Sequence, residues 1–182
     1  MSERDVIQPE VATFAGGCFW CTQHEFDCIQ GIVSTITGYI GGTTTHPSYK
    51  EVCSGNTGHV EALQITFDPS KITYRQLLDV YWRSIDPTTQ NGQFCDIGSQ
   101  YRPVIFYHNE RQHQEALASK QALIESNVIA HVLVDILPAS PFFPAEEYHQ
   151  KYYQKSPTGY ELYHAGSGRD RRLKEIWRNQ KR

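Results

Sequence analysis

No apolar run in the chain approaches the roughly 20 residues needed to cross a bilayer, so a membrane span is not expected. The opening residues, MSERDVIQPEVATF, carry charges and lack the apolar core of a secretory signal, which makes the cytoplasm the expected compartment. Excess charge of either sign is missing too. Lys and Arg number 17 against 20 Asp and Glu, a net charge of −3, which offers no handle for nucleic acid or an anionic lipid surface. Repeats, low-complexity tracts and linker-like stretches are also absent. A length of 182 residues suffices for one domain with its own core, so a single domain over 1–182 is expected, as a monomer.

Cysteine is present but does not pair off. Cys18, Cys21, Cys28, Cys53 and Cys95 are an odd number, which argues against a fully oxidised secreted framework. In a reducing compartment, closely spaced cysteines are more often reactive or metal-binding than structural. The stretch GGCFWCTQHEF, residues 16–26, sets Cys18 and Cys21 three apart behind two glycines. A zinc site would need a second ligand pair such as CxxC or HxxxH, and the chain offers none at that spacing. His113, His149 and His164 show no ligand spacing, and no metal is expected. Three readings of the motif stay open: two ordinary buried cysteines, a thioredoxin-like thiol–disulfide site, or a nucleophile with its resolving thiol.

Apolar periodicity and turn residues organise the rest. A strand is expected over 11–15, ended by Gly16-Gly17, then a helix from Cys18 to about residue 29 with Phe19 and Phe26 on one face. Strands follow over 32–40 and 59–67, separated by a long loop over 43–58. Thr73 and Gln76 form a capping box for a helix over 73–85, whose apolar stripe includes Trp82 and which stops at Asp86-Pro87. A second polar loop spans 88–100. A strand over 103–107, a helix capped by Asn109 and reaching about residue 125, and a strand over 131–137 complete the regular part. From Pro138 onward mostly irregular chain with short helical pieces is expected, ending in a solvated helix or tail over 169–182. Alternation is imperfect and adjacent strands occur, which predicts an α+β fold, a two-layer α/β sandwich.

A thiol at the first turn of a helix feels exposed N–H groups and the positive dipole end, so the Cys18 thiolate is expected to be favoured. Cys21 lies one turn on, where two cysteines come within the roughly 4.4–6.8 Å Cα separation of a disulfide. On the 59–67 strand, Glu61 shares a face with Leu63, Ile65 and Phe67, which would put its carboxyl inside, desolvated and protonated near neutral pH; if the strand starts at Leu63 instead, Glu61 is a solvated loop residue. A protonated acid beside a thiolate is a proton donor for a developing oxyanion. His59 faces the other way and reads as a structural hydrogen bonder.

GGCFWCTQHEF, GYIGGTTTHPSYKEVCSGNTGHVEAL, ITFDPSKITYRQLLDVYW and DIGSQYRPVIFY together resemble the A-type peptide methionine sulfoxide reductases, over roughly residues 11–167. The combination of GCFW, TGHVE and GSQYR is far more specific than CxxC alone. The resemblance implies a two-layer sandwich with a ferredoxin-like plait core and a long irregular C-terminal segment. It implies Cys18 as the nucleophile that attacks the sulfoxide sulfur, and Phe19 and Trp20 as the wall receiving the substrate methyl. Glu61 would be the acid at the sulfoxide oxygen, Tyr49 and Tyr101 further donors there, and Asp96 a holder of substrate or water. It also implies oxidised methionine residues and free methionine sulfoxide as substrates, S-epimer specificity, thioredoxin as reductant, and no cofactor.

Two departures matter. Many members have Gly where this chain has Cys21, and many carry resolving cysteines in a C-terminal tail, whereas here no cysteine follows Cys95. Cys28, about 15 Å along the helix from Cys18, is too far for a bridge. The expected resolving thiol is therefore Cys21, with Cys95 second and Cys53 a further alternative. A general CxxC thiol–disulfide oxidoreductase is the competing function.

Overall fold

The computed structural model describes residues 8–178. The strands are β1 (Glu10–Ala15), β2 (Ile32–Ile40), β3 (Val60–Phe67), β4 (Gly92–Gln93), β5 (Asp96–Ile97), β6 (Val104–Tyr107), β7 (Asp135–Pro138) and β8 (Phe143–Pro144). The helices are α1 (Phe19–Asp27), α2 (Tyr49–Cys53), α3 (Tyr74–Ser84), α4 (Glu110–Glu125), α5 (Tyr152–Lys155), α6 (Pro157–Gly166) and α7 (Arg169–Ile176), with one-turn 3-10 helices at Ser99–Tyr101 and Glu147–His149.

Six strands form one sheet in the order β7-β6-β1-β3-β2-β8, antiparallel except for the β6–β7 pair. Its centre, β6-β1-β3-β2 with α1 and α3 as crossovers, is the βαββαβ plait of a ferredoxin-like fold. Strand period sorts the side chains. Ala12, Phe14, Leu63, Ile65 and Phe67 face α1, α3 and α4 and join Phe26, Leu77, Leu78, Tyr81 and Trp82 in the main core. Ala15, Val60, Ala62 and Phe106 face the other way, where the chain after β7 covers them with Ala139 and Phe142. The expected two-layer α/β sandwich is thus present, and the C-terminal segment closes its second face.

Capping explains several boundaries. The Thr73 hydroxyl accepts from Gln76 N–H at 3.2 Å, and Gln76 Oε1 accepts from Thr73 N–H at 2.9 Å. Trp82 is core, and its indole N–H donates to Ser119 Oγ at 3.0 Å, tying α3 to α4.

Five expectations need correction. The loop over 43–58 contains α2, built on a Ser48–Glu51 capping box that the S-x-x-E spacing advertises. The loop over 88–100 contains the β4–β5 hairpin, and the strand expected over 131–137 forms only at 135–138. The tail is richer in helix than expected, and Arg169 is buried rather than part of a solvated end; residues 179–182 lie outside the described residues.

Candidate active site

Gly16-Gly17 carries the chain from β1 into α1. Gly17 adopts φ +83°, and a Cβ there would lie 2.6 Å from Gln93 Cβ, so glycine is required both by the turn and by the packed β4–β5 hairpin. Gln93 is itself locked to the end of α3: its Oε1 accepts from Asp86 N–H at 2.8 Å and its Nε2 donates to Asp86 O at 2.7 Å. Cys18 is the N-cap residue of α1 and its side chain makes no capping bond; its carbonyl accepts from Cys21 and Thr22 N–H at 3.2 and 3.3 Å. The first free helical N–H, that of Phe19, donates to Glu61 Oε2 at 3.1 Å.

A cavity of about 60 Å³ opens at this point, lined by Cys18, Phe19, Trp20, Tyr49, Glu61, Asp96, Tyr101 and Tyr163. That is room for about two water molecules at ~30 Å³ each, the scale of a methylsulfinyl group rather than of a whole side chain. Seven of the eight lining residues are those singled out in the sequence, brought together from α1, α2, β3, β5 and the 3-10 turn before β6.

Burial dominates the electrostatics. Glu61 is fully enclosed, and desolvation pushes its carboxyl up to about 8, opposed by the Phe19 N–H and helped by the charges of Asp96 and Cys21. It is therefore largely a neutral acid at neutral pH, as its place on β3 predicted.

The expectation for Cys18 fails. Burial, the hydrogen bond it makes to Cys21, and the nearby Glu61 push the Cys18 thiol well above its ordinary value, against a hydrogen bond from Tyr163. The helix N–H that was expected to favour the Cys18 thiolate is taken by Glu61 instead. Cys21 moves the other way: it is lowered by the Cys18 hydrogen bond, the Arg169 charge and the Tyr160 hydroxyl, despite its own burial.

The tail supplies groups that the sequence did not point to. Trp20 stacks on Tyr152 at 3.9 Å between ring centroids, and its indole N–H donates to His149 Nδ1 at 3.0 Å. With Nδ1 accepting and burial holding the ring neutral, the His149 proton sits on Nε2, which lies 3.7 Å from Glu146 Oε2. Glu146 also accepts from Tyr49 N–H at 2.7 Å and from the Tyr39 hydroxyl at 2.8 Å. The Tyr163 hydroxyl donates to Asp96, so that carboxylate is already engaged. Tyr49 shares its hydroxyl with the Cys53 thiol one turn on. Cys28 caps the far end of α1, exposed; Phe19 and Phe26 do not share a core, because Phe19 packs with Tyr39 and Val52 while Phe26 enters the main core. His59 is structural: Gly42 N–H donates to its Nδ1 at 3.0 Å, and its Nε2 lies 2.7 Å from Thr44 O.

None of the helices among the described residues is long and apolar enough to cross a membrane. A family model for peptide methionine sulfoxide reductase matches residues 10–181. A Bacillus licheniformis protein named peptide methionine sulfoxide reductase MsrA is 53% identical over 169 residues, covering 92% of this chain and 93% of that one. Among solved structures, reduced Mxr1 from Saccharomyces cerevisiae superposes with a TM-score of 0.78 at 35% identity, covering 86% of this chain and 92% of that one. Methionine sulfoxide reductase A of Corynebacterium diphtheriae gives a TM-score of 0.75 at 29% identity over 86% of this chain and 79% of that one. With its plait fold, its enclosed acid and its cysteine pair beside an aromatic cavity, the chain belongs to the peptide methionine sulfoxide reductase family, of the MsrA type.

Proposed function

We propose that this reductase acts on the S epimer of methionine sulfoxide, in proteins and as the free amino acid, through Cys18, Glu61 and Cys21. The observation that carries the reading is the small cavity in which a nucleophilic sulfur, a neutral carboxylic acid and aromatic rings converge. Phe19 and Trp20 bind the methyl group by apolar contact. Glu61, with the Tyr49 and Tyr101 hydroxyls, hydrogen-bonds the sulfoxide oxygen and makes the sulfur more electrophilic. Asp96, held by Tyr163, orders the substrate through that same wall.

The reacting state has Cys18 ionised and Glu61 protonated. It holds as many protons as the state with Cys18 protonated and Glu61 ionised, so the two interconvert by moving one proton. The Cys18 thiolate attacks the sulfoxide sulfur while Glu61 gives its proton to the oxygen. Oxygen passes to Cys18, methionine leaves, and Cys18 is a sulfenic acid. The Cys21 thiolate attacks Cys18 Sγ, hydroxide leaves and is protonated to water, and a Cys18–Cys21 disulfide remains. A dithiol reductant, thioredoxin, supplies two electrons and restores both thiols.

The competing reading, a general thiol–disulfide oxidoreductase, fits the motif but not its setting. Cys18 is 6% and Cys21 1% exposed, which leaves little sulfur for protein disulfides to meet. The deciding assay couples thioredoxin oxidation to a methionine sulfoxide peptide supplied as separate epimers. Turnover of the S epimer alone is expected, and Cys18→Ser should lower it by at least about 10³-fold. Equal turnover of both epimers, or full activity in Cys18→Ser, would overturn the reading. Peptide mapping after a single turnover without reductant should find Cys18 joined to Cys21; a bridge to Cys95 or Cys53 would replace Cys21 in that role.

A further inference from the structure

Arg169 opens α7 and is 2% exposed, one of the largest side chains buried so deeply. Its guanidinium lies beneath the turn that carries the two cysteines. Nη1 donates to Ser84 O at 2.6 Å, Nη2 to Gly16 O at 3.4 Å, and the Phe94 ring stacks 4.3 Å away, while Nε has no partner. Among the described residues no carboxylate lies within ion-pair distance of it. Asp86, the acid next to Ser84's turn, is taken by Arg172 at 2.6 Å and by Thr88. A guanidinium carries a permanent charge, and a buried charge without a counter-ion is strongly disfavoured. The fold therefore has a buried cation with no carboxylate in ion-pair contact; Asp96 feels its charge only from beyond that distance.

The ionisable groups around this point are Cys18 and Cys21 on α1, Glu61 on β3, Asp96 on β5, and Tyr160 and Tyr163 on α6. Glu61 is enclosed on the Phe19 side, and Asp96 accepts from Tyr163. Cys21 is different: the Cys18 thiol and the Tyr160 hydroxyl both donate to it, an arrangement suited to a sulfur anion. We propose that Arg169 is a positioning residue for the recycling half of the reaction: its counter-ion is the Cys21 thiolate, which it holds as the leaving group when the Cys18–Cys21 disulfide is opened. The inference rests on Cys21 being the resolving thiol.

The step balances as follows. Cys18 borders the cavity and is the more exposed of the two, so a reductant thiolate attacks Cys18 Sγ. The Cys18–Cys21 bond breaks and Cys21 departs with the electron pair as a thiolate facing Arg169. The reductant's second thiol attacks the mixed disulfide, and Cys18 leaves with one proton while the other goes to solvent. A more stable leaving thiolate leaves faster and makes the disulfide more oxidising.

Ultraviolet titration of thiolate in the reduced enzyme tests the counter-ion. One thiol should ionise below the ordinary value of about 8.5. That signal should persist in Cys18→Ser, whose hydroxyl still donates, and vanish in Cys21→Ser. Arg169→Met should move it up by at least about one pH unit, Arg169→Lys by less, and the equilibrium constant for reduction by thioredoxin should fall about tenfold in Arg169→Met, roughly 30 mV. Unchanged titration and potential in folded Arg169→Met overturn the proposal, as does a low-pH thiolate that belongs to Cys18. If Arg169→Met does not fold, hydrogen exchange of the wild type decides: oxidation neutralises Cys21, so amides over 169–176 should exchange faster in the disulfide form. Equal exchange in both forms counts against Arg169. A Cys18–Cys95 bridge in the mapping experiment would remove Cys21 from recycling without touching the titration, so the two failures are distinguishable.

Discussion

Glu61 and Arg169 both lie buried beside the cysteine pair, one on the substrate side and one behind it, and burial acts on them in opposite ways. The carboxyl can shed its charge, so desolvation pushes it up to about 8 and leaves a proton donor facing the cavity. The guanidinium cannot, so its setting has to supply carbonyls, an aromatic face and, on our proposal, a thiolate. The front wall is assembled from the sheet and the motifs around it; the back wall comes from α6, whose Tyr160 meets His24 of α1, and from Arg169 at the start of α7, which reaches Gly16 just before α1. On our proposals, one wall serves attack on the sulfoxide and the other serves regeneration. The two cysteines, one turn apart, sit on the boundary between them.

The substrate side should give the larger effect. Glu61→Gln keeps an acceptor for the Phe19 N–H but removes the proton, and kcat/KM for the sulfoxide should fall about 10²–10³-fold, with thiol titration behind it little altered. Because the reacting form shares one proton between Cys18 and Glu61, the wild-type rate should rise as pH climbs through about 8, where the pair loses its first proton, and that step should disappear in the variant. Stability should move the other way. The carboxyl's folded value lies above its ordinary 4.5, so the folded state binds the proton more tightly than the unfolded one. Stability from this group is present below 4.5 and is lost as pH rises to about 8. The loss is bounded by about 5 kcal/mol. Urea unfolding should therefore find Glu61→Gln more stable than wild type at about pH 9 and similar at about pH 4. A variant that is no more stable at high pH would mean that Glu61 is not held neutral by burial.

The front wall was legible because its chemistry is local in the sequence. Cys18, Phe19 and Trp20 are consecutive, Glu61 sits at a strand position whose face can be counted, and the Tyr49, Asp96 and Tyr101 segments carry the family resemblance. The two-layer sandwich followed from the order of strands and helices, whereas its plait core was implied by the family resemblance. The tail's share of both walls was not legible for a physical reason. His149 and Trp20 meet across 129 residues of chain, and Tyr163 and Asp96 across 67. The tail's many Tyr, His and Pro residues give no periodicity from which such a pairing could be counted. Arg169 looked like the start of a charged, solvated end because its only cue was composition. The Cys18 ionisation was misjudged because a helix N-terminus was considered without the acid that takes up its first N–H.

An intermediate effect is expected where the tail touches the front wall. His149→Leu removes the acceptor of the Trp20 indole N–H and leaves a buried donor unpaired, at a cost of about 1–3 kcal/mol. Stacking on Tyr152 still holds one face of the indole, so the ring should tilt rather than swing free. The expected result is a KM for the sulfoxide peptide raised about tenfold with a smaller change in kcat, while His149→Asn, which can still accept, recovers part of it. A loss confined to kcat would place His149 in proton transfer instead of in holding the methyl pocket.

The smallest effect should come from α2, which the sequence reading passed over. The Ser48 hydroxyl accepts from Glu51 N–H at 3.3 Å, and Glu51 Oε2 accepts from Ser48 N–H at 2.8 Å. This exposed box starts the helix whose first residue is Tyr49. Ser48→Ala should cost about 1 kcal/mol, or about 2–4 °C in Tm for a chain of this length. Activity should change by less than about threefold, because Tyr49 has a second anchor: its own N–H remains bound to Glu146, which also holds the Tyr39 hydroxyl. Glu146→Ala added to Ser48→Ala should then lose more activity than the two single changes combined, since together they release both ends of the attachment. If Ser48→Ala alone lowers kcat/KM as far as His149→Leu does, the Glu146 anchor does not hold Tyr49, and this part of the front wall depends on the local capping box instead of on the tail.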